Sequence, residues 1–273
     1  SVMRDGEIFK REKIGTYWDG FSWINVTKEG NVKYPNGKKP IALIQQFMKL
    51  IPNHQSMYIL DFFAGSGSTA HASFKFNQET HANTHFISIQ LPERIEANTK
   101  ENKDYIQYLQ EEKISAVVTE VSKERIRRAA AKIKEENPDY DGDLGFKVFK
   151  LDSTNIKPWE VDGNLDEKQL EALIDHIKPD RHEEDVLYEV LLKYGLELTL
   201  PITEHRIAGK TVFDIGLGAL ILCLSDSITL EVVDGICKLK EELNPELMRV
   251  VFKDSGFSDD VVKTNAVQML KQA

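Results

Sequence analysis

The chain has 273 residues, 41% of them hydrophobic and 29% charged. That profile excludes a disordered or fibrous protein and leaves one large core or two modest ones; with no apolar run near the ~20 residues of a membrane span and no secretory signal pattern, a cytoplasmic protein without membrane partners is expected. The formal net charge of −9 excludes a broadly basic nucleic-acid-binding surface, because phosphate contacts carry much of that affinity, so any work on DNA needs its main gripping surface elsewhere.

In chain order, a first residue of Ser1 rather than Met suggests a piece of something longer. Residues 1–40 are aromatic and turn-rich, with Tyr17, Trp18, Phe21 and Trp23 ahead of Gly30, Pro35 and Gly37, and read as extended segments and loops packed against something. From Pro40, IALIQQFMKLI sets Leu43, Phe47, Leu50 and Ile51 at helical spacing, and Pro52-Asn53 ends that helix. Tyr58 to Phe63 is a short apolar strand, a glycine-rich turn follows, a helix begins near Ser66, and residues 85–91 form a second strand. Strand, glycine loop, helix and strand in this order make a βαβ unit with a parallel sheet. Residues 95–113 are helix-prone. SKERIRRAAAKIKEE is a charged helix with Ser122 as its N-cap, stopped at Asn137-Pro138-Asp139-Tyr140-Asp141-Gly142, where a domain boundary is expected.

Residues 141–273 read as a second, small α/β domain. FKVFKL is a strand, EDVLYEVLLKYG a helix closed by Gly195, and TVFDIGLGALILCL two strands of a hairpin joined at Gly216-Leu217-Gly218. A helix over 228–242, the strand RVVF and a last helix from about Asp259, with Val261, Val262, Ala266, Met269 and Leu270 as its apolar stripe, complete it. Cys223 and Cys237 sit in apolar runs without metal or redox spacing and read as buried thiols.

The chemistry concentrates at Asp61-Phe62-Phe63-Ala64-Gly65-Ser66-Gly67-Ser68-Thr69-Ala70. Gly65 and Gly67 permit a tight turn with no side chain between ligand and backbone, and the following helix offers unpaired N–H groups to an anion. Asp61 faces a cationic amine. The loose dinucleotide pattern Gly65-x-Gly67-x-x-Ala70 would admit a nicotinamide cofactor, but that fingerprint expects an acid about 20 residues on, and the next strand ends at Gln90, with Glu93 three residues later. An acid directly before the glycines would also repel a pyrophosphate. A zwitterion such as the methionine part of S-adenosylmethionine suits both charges, and a purely structural glycine turn is the remaining alternative.

Context narrows these readings. FFAGSG resembles the FxGxG motif of S-adenosylmethionine-dependent DNA methyltransferases, and Asn36-Gly37-Lys38-Lys39-Pro40 resembles the Lys-Pro motif that precedes it in the β-class adenine enzymes. Together INVTKEGN, YPNGKKP, LDFFAGSGSTAHA, FISIQLPE, SKERIRRA and the tail FKDSGFSDDVVKTNAVQMLKQ resemble the modification subunit of type III restriction–modification systems. The resemblance implies a partial Rossmann-like methyltransferase domain over 1–140, a C-terminal α/β assembly domain over 141–273, and S-adenosylmethionine as cofactor. It implies Phe63, Ala64, Gly65, Ser66 and Gly67 as the cofactor turn, Asp61 beside the methionine amine, Lys39 and Pro40 in the site wall, and Gln90 where many relatives carry an acidic ribose ligand. A neutral amide there still bonds both hydroxyls, though more weakly than a carboxylate.

The family's DPPY-type catalytic tetrapeptide is missing. Asn137-Pro138-Asp139-Tyr140 is the near match, but it follows a charged helix and has Asp139 in place of a second proline, so it reads as a helix-terminating turn. No catalytic residue is therefore assigned, and the chain alone is expected not to methylate. The implied partners are double-stranded DNA through the intact protein, a second modification subunit and a restriction subunit. Arg125, Arg128 and Lys132 share a helical face and are candidates for phosphate contact, against a solvated, ion-paired helix. His81 and His85 would suit a metal only on a helix, so no metal is assigned, and His176 and His205 form no cluster. Trp18 and Trp23 are assigned to packing rather than base stacking. Other readings are a non-catalytic assembly module and a nicotinamide-dependent oxidoreductase.

Overall fold

The computed structural model describes residues 2–4, 7–9, 15, 17–18, 20–24, 26–35, 38–52, 55–157 and 177–273. Asn25, Asn36, Gly37, Asn53 and His176, each part of a sequence reading above, lie outside the described residues. The chain divides into two compact α/β units, Ser1–Phe146 and Lys147–Ala273.

In the first unit, strands β1 (Val2–Arg4) and β2 (Glu7–Phe9) pair antiparallel, and a short 3₁₀ turn follows at Val26–Lys28. Helix α1 spans Ile41–Leu50. Strand β3 (Ser56–Asp61), helix α2 (Ser68–Thr80) and strand β4 (Asn83–Ser88) form the expected parallel βαβ unit, in register from Ser56 opposite Asn83 to Asp61 opposite Ser88. Both strands start about two residues earlier than their apolar runs suggested, because pairing rather than hydrophobicity sets their ends. Helix α3 (Lys100–Glu111) is capped by Thr99, whose hydroxyl accepts the Asn102 N–H at 3.1 Å.

Helix α4 runs Val118–Glu136, so Ser122 lies inside it and is not its cap. The ladder between Glu93 O and Val118 N–H (3.0 Å) lets the helix begin a turn earlier than the charged run does. Its end is as expected: the Asn137 carbonyl accepts the Tyr140 N–H at 3.0 Å, which makes 137–140 a terminating turn.

Strand alternation puts Met57 and Ile59 on the face packed against Ile41, Met48, Ala72 and Phe76. Phe86 points the same way, edge-on to Phe74 at 5.4 Å. A saturated polar network ties α2 to β4: Thr84 donates its N–H to Asn77 Oδ1 (2.9 Å), and Asn77 Nδ2 donates back to the Thr84 carbonyl (2.9 Å). The opposite face, Tyr58 and Leu60 beside Ile87, is exposed, although parallel sheets are ordinarily covered on both sides. Helix α1 buries Ile41, Gln45 and Met48, not the expected Phe47, Leu50 and Ile51, which are exposed. Phe47 instead meets the Trp18 ring at 4.9 Å, an aromatic partner outside the helix that the spacing could not reveal.

In the second unit FKVFKL is not a strand. Residues 146–151 run without a ladder partner, Leu151 is 99% exposed, and Phe149 packs on Tyr188 at 4.8 Å. Helix α5 (Glu183–Tyr194) ends on Gly195 in the left-handed region (φ 68°), as its glycine signalled. Strands β5 (Ile202–Ile207), β6 (Lys210–Ile215), β7 (Leu220–Cys223) and β8 (Arg249–Phe252) form one sheet in that order, antiparallel except for the β7–β8 pair, which helix α6 (Leu230–Leu243) connects.

Interior strand β7 splits its side chains between two cores. Leu220 and Leu222 pack with Leu187 and Leu191 of α5, whereas Ile221 and Cys223 pack with Val232 and Ile236 of α6. The Gly216–Gly218 hairpin forms as read, with Asp214 Oδ1 accepting the Gly218 N–H at 2.6 Å. Helix α7 (Asp260–Gln272) is capped by Asp259 and buries Ala266, while Val261 of the expected stripe is exposed. Both cysteines are free thiols, Cys223 fully enclosed.

Candidate cofactor-binding site

The C-terminal end of β3 delivers Asp61 to the mouth of the glycine turn. Its carboxylate accepts the Phe63 N–H on Oδ1 (3.1 Å) and the Thr69 hydroxyl on Oδ2 (2.6 Å). Two bonds leave further lone pairs for a ligand amine. Thr69 was not singled out from the sequence, although a hydroxyl eight residues after the acid, in the first turn of α2, was the available signal. Phe63 projects outward at 91% exposure, whereas Ala64, Ser66 and Gly67 are buried in the turn.

Both glycines are required by conformation. Gly65 and Gly67 have φ of 52° and 75°, the left-handed region that costs other residues strain. At Gly67 space matters too: a Cβ would lie 3.2 Å from the Ser122 carbonyl oxygen and 3.4 Å from Ile126 Cγ1. The turn is closed by Ala64 N–H to Ile89 O (3.1 Å) and Gly67 N–H to Ala64 O (2.8 Å). Gln90 Oε1 accepts the Gly65 N–H at 2.9 Å, and its Nε2 donates to the Leu91 carbonyl at 3.2 Å. Gln90 thus stands beside the turn, at the place where its strand position put it.

Helix α4 braces the turn from behind. The Ser122 hydroxyl donates to the Gly65 carbonyl. One turn on, Arg125 Nη1 donates to Ser66 Oγ (2.9 Å) and Ser68 Oγ (2.5 Å), and Nη2 pairs with Glu29 Oε2 at 3.4 Å. Arg125 is 0% exposed. Burial pulls its pKa down to about 10 against the upward pull of Glu29, so it stays charged at neutral pH. The three candidates for phosphate contact do not share a free basic face, and the ion-paired reading of the helix fits: Arg125 is enclosed, Arg128 is tied to Glu124 (2.7 Å), Glu112 (2.8 Å) and the Asn31 carbonyl (2.7 Å), and Lys132 pairs with Glu136 at 3.6 Å.

The Lys-Pro segment joins the site through the same acid. Glu29 Oε2 accepts the Ile41 N–H at 3.2 Å, just after Pro40, the buried N-cap of α1. Lys39 is exposed beside it. Lys38 is buried and donates to the carbonyls of Thr27 (2.9 Å), Glu29 (2.6 Å) and Val32 (2.6 Å). Burial and then Arg125 pull its pKa down to about 7 against Glu29, and three donors meeting three carbonyls are those of the ammonium form. Burial, followed by Arg125 and then nearby lysines, holds His71 neutral, with its pKa pushed down to about 3.

Other sequence candidates fall away from this centre. His81 ends α2 in the left-handed region and His85 lies in β4, stacked on Tyr58 at 5.2 Å, so the two do not share a helix. Among the described residues no group of three or more His, Cys, Asp and Glu is arranged to hold a metal ion. Trp18 packs on Phe47 of this chain, whereas Trp23 is exposed.

Residues 6–130 match the DNA methylase family. The chain is 38% identical over 150 residues to the modification subunit of the type III restriction–modification enzyme StyLTI from Salmonella typhimurium, which covers 52% of this chain and 21% of that protein. It is 32% identical over 113 residues to the EcoP15I modification subunit of Escherichia coli (41% of this chain, 15% of that one). It is 29% identical over 176 residues to the EcoPI modification subunit of Escherichia phage P1 (64% and 25%). The chain thus spans no more than a quarter of the length of these relatives.

Proposed function

We propose that this chain, whose residues 6–130 match the DNA methylase family and whose relatives include type III modification subunits, is the cofactor-binding and C-terminal portion of a site-specific DNA adenine-N6 methyltransferase that uses S-adenosylmethionine. The observation that carries this reading is the turn itself. An acid with lone pairs to spare stands at the end of β3, and Gly65, with no side chain and only the Phe63 carbonyl oxygen near its Cβ position, leaves the way open to the N-terminus of α2. On this reading the β3–α2–β4 unit is one element of a Rossmann-like sheet.

When bound, the cofactor supplies an electrophilic methyl group on a sulfonium. Asp61 would hold the ligand amine, the α2 N-terminus would take the carboxylate, and Gln90, which now accepts the Gly65 N–H, would bond the ribose hydroxyls. Lys39 and Pro40 form the wall. Phe63, Ala64, Ser66 and the glycines shape the turn. These residues fix orientation, and positioning supplies most of the catalysis of a direct displacement. The groups that flip and deprotonate the adenine, together with the DNA grip, come from outside this sequence. Double-stranded DNA, a second modification subunit and a restriction subunit are the proposed partners, and the cytoplasm the proposed location. A subunit-assembly role for the chain gains support from the uncovered face of β3 and β4.

Titration calorimetry with S-adenosylhomocysteine tests the assignment, with Asp61→Ala and NAD as controls. Binding of the homocysteine product that Asp61→Ala abolishes, with none of NAD, is the expected result. Binding of NAD alone overturns it, and binding of neither ligand leaves the assembly role as the better reading.

A further inference from the structure

Two buried cations lie behind the glycine turn, and helix stability does not account for their place. The Arg125 guanidinium bonds Ser66 and Ser68, the residues that open α2, and Lys38 is among its neighbours. A helix N-terminus carries partial positive charge and prefers anions, and a buried ion pair is often no more stabilising than apolar side chains of similar volume. Glu29, at 3.4 Å from Arg125, is the acid that answers these cations, and it also spends a carboxylate oxygen on Ile41. The surplus is positive and lies where α2 opens towards a ligand.

The same guanidinium is the mechanical link between two stretches of chain. One fork of it holds Ser66 and Ser68, the other holds Glu29, and Glu29 caps α1 directly after Lys39-Pro40. Packing around it leaves no slack: a Cβ on Gly30 would lie 2.8 Å from Arg125 Nε and 2.9 Å from Cγ. A turn built on two left-handed glycines has little rigidity of its own, so it must be held from outside. Lysine has the charge but not the planar fork that reaches two sets of partners.

We infer that Arg125 is a positioning residue of the cofactor site, locking the glycine turn to the Lys-Pro segment and directing positive potential at the carboxylate of the amino-acid part of the ligand. This rests on the S-adenosylmethionine reading above. A residue with this task affects ligands that carry the amino acid and spares those that lack it.

The test compares S-adenosylhomocysteine, by calorimetry, with 5′-methylthioadenosine, which keeps the nucleoside and lacks amine and carboxylate, by ligand-observed NMR. Arg125→Lys, Arg125→Met and Ser68→Ala are each titrated, with far-UV circular dichroism confirming the fold. At least tenfold weaker S-adenosylhomocysteine binding in Arg125→Met, a smaller loss in Arg125→Lys and in Ser68→Ala, and methylthioadenosine affinity within threefold of the parent are expected. Equal losses for both ligands reduce Arg125 to a structural residue and overturn the inference, as does unchanged homocysteine binding. If Arg125→Met does not fold, the Lys and Ser68 variants decide by the same ratio. An unsubstituted chain that binds no S-adenosylhomocysteine overturns the cofactor assignment itself.

Discussion

Gly67→Ala adds one methyl group, and the structure says where it goes. The residue has φ of 75°, and the new carbon would stand 3.2 Å from the Ser122 carbonyl oxygen and 3.4 Å from Ile126 Cγ1. Left-handed backbone costs a residue with a Cβ roughly 1–2 kcal/mol, and pressing a methyl into a well-packed interior costs about 1–3 kcal/mol more. Gly65→Ala is the internal control. Its φ of 52° carries the same backbone term, but the nearest atom to its Cβ is the Phe63 carbonyl oxygen at 3.7 Å, an ordinary contact. Urea unfolding followed by circular dichroism should therefore separate the two variants by at least about 1 kcal/mol, with Gly67→Ala the weaker. Hydrogen exchange should place the loss in α2 and α4. Equal destabilisation, or a larger effect at Gly65, would refute the claim that α4 presses on the turn at Gly67.

Three further outcomes are expected. Ser122→Ala removes the donor to the Gly65 carbonyl and should cost about 1 kcal/mol in the same unfolding experiment; no change would mean that the bond does not hold the turn. Asp214→Ala should cost roughly 1–3 kcal/mol, because the Gly218 N–H loses its acceptor in a buried hairpin, and faster exchange of the Gly218 amide is the direct readout. Burial pushes the Glu189 carboxyl up, but donors from the Thr154 hydroxyl, the Asn155 N–H and Lys193 outweigh it and bring the pKa down to about 2. A carboxyl depressed in the folded state stabilises above its unfolded pKa, near 4.3, and that contribution fades as pH falls towards 2. Glu189→Gln should therefore flatten the acid limb of the stability profile between those values, and an unchanged limb would rule the assignment out.

What could be read from the sequence was local. The glycine turn announced itself because left-handed backbone demands particular residues at fixed positions, and Gly195 and Gly216–Gly218 ended a helix and turned a hairpin for the same reason. What escaped depends on partners far along the chain. Arg125 looks like any surface cation on a charged helix until Ser66, 59 positions earlier, is brought beneath it. Phe47 reads as core, yet it stays exposed with the Trp18 ring beside it. Strand β5 carries Thr203, Glu204, His205 and Arg206 in place of an apolar alternation, and it exists because β6 offers it an edge. FKVFKL is apolar enough for a strand but pairs with none, so it stays irregular.

The bare face of β3 and β4 bears on how long such a chain survives. Tyr58, Leu60 and Ile87, with Phe62 and Leu91 nearby, present to water what chaperones and proteases read as unfinished folding. A partner seated on that face would also shield it from degradation.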